Sequence, residues 1–313
     1  MRTLILAERP FRDLRSRALL LDLPRHLGGA VPLLLSTAAP TAPAGFETFS
    51  PEADPAAHGI TRVVIAGAFH ERPQLEQTLA IAGRALAAGA KLEVRAFTVE
   101  RGAAMRDPPK GVELLAQAQP LELRDHHTAN ALMVWRSAAA FRIHPYPECA
   151  TAPDDALLPL LPEGPILGLS ILGGGQMRQA WTARLAELRA LLAPMQGWAM
   201  LPLPMEHTAS PMDDFAGTRD FLAAILPGTS LLLPELAQDV WRRRQFTPAR
   251  MRALVARCGV VITNQDLPAA FAIAAGVPVI GLALGTDRRA ITCLTQFANT
   301  LTAGSQLLHP PRA

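Results

Sequence analysis

Several short polar segments bring together the side chains best suited to chemistry. Glu206 and His207 are adjacent in Leu203-Pro-Met-Glu-His-Thr-Ala-Ser-Pro-Met-Asp-Asp214. A carboxylate beside an imidazole can transfer a proton or bind a sugar hydroxyl. Asp213 and Asp214 suit the cap of a following helix and its dipole. Ser170-Ile-Leu-Gly-Gly-Gly175 lies between an apolar run and a helical pattern that opens at Arg178. Gly173, Gly174 and Gly175 would let backbone N–H groups approach an anion, with the helix dipole and Arg178 adding positive charge; a flexible connection would read the same way. Thr263-Asn-Gln-Asp266 follows the β-branched run Val260-Val-Ile262. Asp266 precedes Pro268 and suits the cap of a helix, whereas Asn264 and Gln265 have no evident capping duty and could hydrogen-bond a ligand. In Gly285-Thr-Asp-Arg-Arg289, Asp287 can cap a helix and Arg288 can reach a phosphate or carboxylate, although a solvated helix start explains both. Glu8 follows the first apolar run, Gly67 to His70 follow another, and Arg124-Asp125-His126-His127 a third.

These segments need a frame that places them on one rim. Apolar runs of strand length alternate with helical patterns along most of the chain, which predicts parallel sheets covered by helices. Predicted strands cover residues 3–6, 31–35, 62–66, 92–97, 121–123 and 141–144, with a short one at 46–49 inside the connection 36–58, then 166–172, 198–202, 230–233, 260–263 and 277–284. Predicted helices cover residues 11–26, 73–88, 112–118 and 128–138, then 178–193, 213–226, 248–257, 268–275 and 288–301. The stretch 145–165 carries six prolines and reads as an inter-domain linker. The expectation is an α/β protein of two Rossmann-like domains, residues 1–150 and 151–313, with parallel sheets facing one another across a cleft. Ligands of open α/β sheets bind outside the carboxyl ends of the strands, where the polar segments fall.

Composition narrows the function classes. Half the residues are hydrophobic and 18% are charged, so the chain has ample material for a core and is not disordered. The net charge of +3 is spread out, with one tight cluster at Arg242-Arg243-Arg244 that reads as a solvated helix start. Aromatic residues are sparse, and no nucleic-acid partner is expected. Lysine occurs only at Lys91 and Lys110, which weighs against a Schiff base. Cys149, Cys258 and Cys293 are far apart and read as reduced thiols, Cys258 and Cys293 as buried, inert ones. His126 and His127 are neighbours whose rings point apart, so no metal is expected. No other cofactor is expected either. The fingerprints of dinucleotide binding, of a P-loop and of a Gly-x-Ser-x-Gly nucleophile are absent. The run Leu4 to Ala7 is too short for a signal peptide, and no stretch reaches the roughly 20 apolar residues of a membrane span. A cytoplasmic location is expected, with membrane contact at most peripheral at the inner face.

Several of these segments together resemble the polysaccharide pyruvyl transferase family. Val63-Val-Ile-Ala-Gly-Ala-Phe69 is similar to the family's apolar strand ending in glycine, and Leu123-Arg-Asp-His-His-Thr128 to its Val-Arg-Asp-x-x-Ser pattern. Pro153-Asp-Asp155 falls at its Asp-Pro segment, and Asn264 to Pro278 is similar to its Arg-Leu-His-x-x-x-Phe-Ala-x-x-x-Gly-Val-Pro block. Gly285 to Arg289 resembles its closing Asp-x-Lys segment. The resemblance runs from about Arg62 to Thr302 and implies a glycosyltransferase-B-like fold. It adds Arg124 and Asp125 to the candidate ligand contacts. With Phe271 and Gly276-Val-Pro278 in register, the family's Arg falls on Gln265 and its His on Leu267. The family's Gly-Asp loop near the N-terminus is also replaced, by Glu8-Arg-Pro-Phe-Arg-Asp13.

The resemblance implies a transferase of cell-surface polysaccharide or glycolipid assembly. It would move a pyruvyl group from phosphoenolpyruvate, or a sugar from a nucleotide sugar, to a glycan or lipid-linked acceptor. The donor is expected on the second domain, contacting Ser170, Gly173 to Gly175, Arg178, Asn264 to Asp266, Asp287 and Arg288, and the acceptor on the first. Glu206 and His207 are the expected proton carriers. Gln265 and Leu267 shift weight from pyruvyl to glycosyl transfer. They also keep open a catalytically silent protein that holds a glycan or a partner.

Overall fold

The computed structural model describes residues 2–8, 14, 16–20, 33–36, 45–100, 107–144, 146–206, 213–283, 293–295 and 305–308. The chain separates into two compact units, Met1–Phe11 with Leu19–Glu148, and Arg12–Ala18 with Cys149–Ala313. Each is an α/β unit built on one parallel sheet, the fold class expected.

The first sheet comprises β1 (Arg2–Leu6), β2 (Leu33–Ser36), β3 (Glu47–Phe49), β4 (Ile60–Phe69), β5 (Lys91–Val99), β6 (Leu121–Leu123) and β7 (Arg142–Ile143), in the order β3-β2-β1-β4-β5-β6-β7. Its central strands are apolar on both faces because helices must cover both sides of a parallel sheet. Leu4 and Val63 join the larger core cluster of this unit, while Ile5 and Val64 join a second cluster with Leu19 and Leu20. The register between β4 and β5 shifts at Ala66/Ala68, where Gly67 takes a φ of 89°. The helix Arg72–Ala87 then runs antiparallel to the strands, with proline in its first turn.

The second sheet comprises β8 (Ile166–Ser170), β9 (Ala199–Pro202), β10 (Val260–Thr263), β11 (Val279–Leu282) and β12 (Gln306–Leu308), in the order β12-β11-β10-β8-β9. Its core gathers Leu167, Leu169, Ile262 and Ile280 against Trp181, Leu188 and Phe221. In both sheets the strand order reverses beside the first strand of the unit, between β1 and β4 and between β8 and β10.

Several elements depart from the sequence expectation for local reasons. The helix predicted over 178–193 is two, Gly175–Thr182 and Leu185–Leu192, parted at Arg184, whose guanidinium turns onto Glu187. Residues 230–233 form a single bridge, Met200 to Leu231, because Leu233 adopts a φ of 51° and leads into the 3-10 turn Pro234–Ala237. The segment Val112–Gln117 is 3-10 rather than α. The final predicted strand begins at Val279, since the Val277 N–H closes the preceding helix on Ala272 O at 2.8 Å. The helix Asp239–Gln245 and strand β12 had no counterpart in the sequence reading. The arginine triplet falls in the last turn of that helix, and Arg242 is buried rather than solvated. Among the described residues no helix is long and apolar enough to cross a membrane.

Candidate functional site

The point of reversal in the second sheet joins two of the polar segments. β8 and β10 are direct neighbours, with Ser170 in register with Thr263. The Thr263 hydroxyl donates to Ser170 O at 2.9 Å and accepts the Gln265 N–H at 2.8 Å. Asn264 reaches across the strands: its Oδ1 accepts the Leu172 N–H at 2.9 Å, and its Nδ2 lies 3.5 Å from Met177 Sδ. Asn264 thus clamps the glycine loop to β10. Gln265 and Asp266 are buried, and Asp266 Oδ1 accepts the Leu267 N–H at 3.0 Å. Leu267 is fully buried in the apolar helix Asp266–Ala274. Gln265 is the N-cap of that helix and makes no side-chain cap.

A second helix supports the same loop. The Thr218 hydroxyl accepts the Ile171 N–H at 3.0 Å. Gly217, on the same turn, has no room for a side chain: a Cβ there would fall against Ile171 O and within 2.5 Å of Gly173 N. Sequence reading missed both residues, and the small residue at 217 inside a helical pattern was the available signal. Gly174 takes a φ of 101° and begins the helix Gly175–Thr182 without any side-chain cap. Helix starts leave backbone donors in need of a partner, and this one opens within the run Gly173 to Gly175. The hydroxyl of Ser170 is buried at the base of the loop and finds no partner among the described residues. Arg178 lies on this helix, exposed and paired with Asp220.

The loop after β9 is anchored by two aspartates with different duties. Asp213 caps the helix Asp214–Ile225 through the Ala216 N–H at 2.6 Å. Its other oxygen takes Arg242 Nη1 at 2.9 Å, an ion pair buried on both sides. The same Arg242 nitrogen donates to Glu206 O at 3.1 Å, and the guanidinium lies over the Phe215 ring. Asp214 does not cap; it accepts the Met205 N–H, and its Oδ1 is buried without a partner among the described residues. Burial drives the Asp214 carboxyl up to about 7, reinforced by Glu206 and Asp213 and opposed by the Met205 N–H and Arg242. Glu206 is half-buried, at the end of the described part of the loop. His207, Asp287 and Arg288 lie outside the described residues.

In the first unit, Arg124 and Asp125 sit in packed surroundings. Arg124 is buried, paired with Glu148 and placed over the Tyr146 ring. Asp125 caps the helix His126–Val134 through the Thr128 N–H at 2.7 Å and accepts the Thr98 hydroxyl. Thr128 Oγ1 in turn accepts the Val99 N–H at 3.0 Å. These contacts tie β5 to the helix that follows β6. Cys258 is buried as expected, and burial pushes its thiol up to about 12.

Solved structures share this fold. A UDP-GlcNAc 2-epimerase from Methanocaldococcus jannaschii is 10% identical with a TM-score of 0.54, over 99% of this chain and 89% of that one. The UDP-GlcNAc 2-epimerase from Neisseria meningitidis bound to UDP-GlcNAc is 9% identical with a TM-score of 0.53, over 97% and 87%. A Listeria monocytogenes protein provisionally assigned as a UDP-N-acetylglucosamine 2-epimerase is 11% identical with a TM-score of 0.56, over 95% and 87%. At these identities the likeness is one of fold. No protein-family model and no curated protein matches the chain.

Proposed function

We propose that this protein is a group transferase of cell-surface polysaccharide or glycolipid assembly, taking a sugar or pyruvyl group from a phosphate-activated donor. The observation that carries the reading is the uncapped helix start at Gly174, behind a glycine loop that Asn264 and Thr218 hold at the strand reversal of the second sheet. Backbone donors and a helix dipole at that position suit a phosphate. The donor phosphate would lie against Gly173 to Gly175, with the Ser170 hydroxyl beneath the loop. Arg178 is a weaker contributor, since Asp220 already draws its charge. Glu206 and His207 would move protons on the donor side, and Asp287 and Arg288 would complete the phosphate contacts. The first unit would hold the glycan or lipid-linked acceptor. The working location is the cytoplasm, at most peripheral to the inner membrane face.

A nucleotide sugar is favoured over phosphoenolpyruvate. Gln265 and Leu267 stand where the resembled family places its Arg and His, and both are buried. The same fact favours, as second reading, a catalytically silent protein that keeps the frame and binds a glycan or a partner.

Thermal melts with UDP-N-acetylglucosamine, UDP and phosphoenolpyruvate separate these readings. A ligand at a hundred times its Kd stabilises the folded state by about 2.7 kcal/mol. Stabilisation by the nucleotide sugar supports glycosyl transfer, and stabilisation by phosphoenolpyruvate alone supports pyruvyl transfer. No shift with any of the three removes the donor site and leaves the silent reading. Glu206→Gln and His207→Ala are each expected to lower turnover at least tenfold; undiminished turnover in both would remove them from the mechanism.

A further inference from the structure

Among the described residues five large apolar side chains are exposed, and three of them share one stretch of the first unit. Met133 is 61% exposed, Val134 58% and Phe141 38%. Single exposed apolar residues such as Leu160 and Val240 need no explanation, whereas a group marks a contact surface.

The group is made by the helix His126–Val134 and the strand after it. Ala129, Leu132 and Trp135 turn into the core of the first unit. The helical period then puts His126, Asn130, Met133 and Val134 on the outer face. The helix leaves the carboxyl end of β6, and β7 runs parallel to β6 with Leu123 in register with Ile143. The last turn of the helix and Phe141, one residue before β7, therefore both lie at the amino end of the sheet, where β7 is the edge strand.

The charge of this corner has one sign. From His126 to His144 the chain has no aspartate or glutamate but carries Arg136 and Arg142. Glu122 on the neighbouring strand is buried, and Arg95 and Arg142 hold it. Arg142 is thus partly neutralised, although its side chain is 65% exposed. Arg136 is exposed and makes no ion pair among the described residues. Its backbone is unusual as well. Arg136 takes a φ of 54°; its N–H donates to Met133 O at 3.0 Å, and the Ser137 N–H donates to Leu132 O at 3.0 Å. This is the left-handed helix closure that glycine fills without strain. An arginine there puts a cation at the helix end that carries Met133 and Val134, at a cost in stability that the closure itself does not require.

We infer that this corner, Met133, Val134 and Phe141 with Arg136 and Arg142, docks on the surface of an anionic phospholipid bilayer. The apolar side chains enter the interfacial layer, and the guanidinium groups meet lipid phosphates. A second copy of the chain fits less well. A twofold contact sets the patch against itself and brings arginine to arginine with no carboxylate between them. The inference goes beyond the donor reading and stands without it, since a catalytically silent protein would dock in the same way.

Cosedimentation of the full chain with vesicles tests the surface. Binding is expected to vesicles of equal parts phosphatidylcholine and phosphatidylglycerol, to weaken in raised salt, and to be near absent with phosphatidylcholine alone. Arg136→Gly is expected to lower the partition coefficient about fivefold, as one arginine near a charged membrane should, while its melting temperature does not fall. That split separates a lipid contact from a part in the fold. Met133→Gln combined with Val134→Gln, both on the helix surface, is expected to lower the coefficient at least tenfold. No binding to the anionic vesicles, equal binding to both kinds, or undiminished binding in both variants overturns the inference. So does a native dimer in sedimentation velocity that the glutamine pair dissociates, because a second copy then covers the patch.

Discussion

Asp214 sets a pH response at the scale of one residue. It is fully buried, with one oxygen on the Met205 N–H and the other without a partner among the described residues. Its carboxyl is raised to about 7, so the folded protein binds a proton that the unfolded chain releases near pH 4. The stability it contributes is complete below that unfolded value and is lost as pH rises through about 7. Asp214→Asn keeps an acceptor for Met205 and removes the titration. The variant should gain on the order of 1–3 kcal/mol over the native protein at pH 8 and little at pH 4, read from urea melts at both values. An unchanged difference across that range would mean that the carboxyl titrates normally. Sequence reading found Asp213 and Asp214 but gave both to the helix cap. Only Asp213 does that work, because the cap geometry admits one side chain and the next residue turns inward. Arg242 escaped for a related reason: nothing in Arg242-Arg243-Arg244 reveals which of three identical side chains faces the protein interior.

At the scale of elements, the glycine loop owes its position to its neighbours. Gly217 lets the helix Asp214–Ile225 approach the backbone of Ile171 to Gly173, and Asn264 holds Leu172 from the other side. Gly217→Ala must push that helix away from the loop. It should cost about 1–3 kcal/mol, as overpacking does. Asn264→Ala leaves the Leu172 N–H without its partner and should cost a similar amount. Both should also abolish the stabilisation given by a donor in the melt, whereas Arg178→Ala should reduce it only slightly. Donor stabilisation that survives Gly217→Ala would show that the loop is not the phosphate site. Most strands and helices around this loop were legible, since apolar runs ending in polar segments are what a buried parallel sheet demands. The contacts that shape the loop were not. Asn264 looked available for a ligand because its partner, the Leu172 N–H, lies 92 positions earlier in the chain.

At the scale of the molecule, the boundary between the units is less linear than the proline-rich stretch suggests. The segment Arg12–Ala18 groups with Cys149–Ala313, although both its flanks belong to the other unit. Leu14 is fully buried, and its N–H donates to Met205 O at 2.9 Å. Arg17 Nη1 donates to Arg243 O at 3.0 Å. Residues 12–18 carry no signal of this crossing, because a short helical pattern reads alike whichever core it joins. Leu19 and Leu20, a turn further on, pack with Ile5 and Val64 of the first unit. Leu14→Ala should therefore weaken the unit that is distant in sequence. A buried Leu→Ala change costs about 2–5 kcal/mol. Hydrogen exchange can locate that cost. The amides of Leu169 in β8 and Ile262 in β10 should lose protection by tenfold or more, since each 1.4 kcal/mol is a factor of ten, while Val64 in β4 keeps its own. Leu20→Ala should give the opposite pattern. Equal losses in both sheets from either variant would mean that the two units open as one, and that the crossing segment does not belong to the second unit alone.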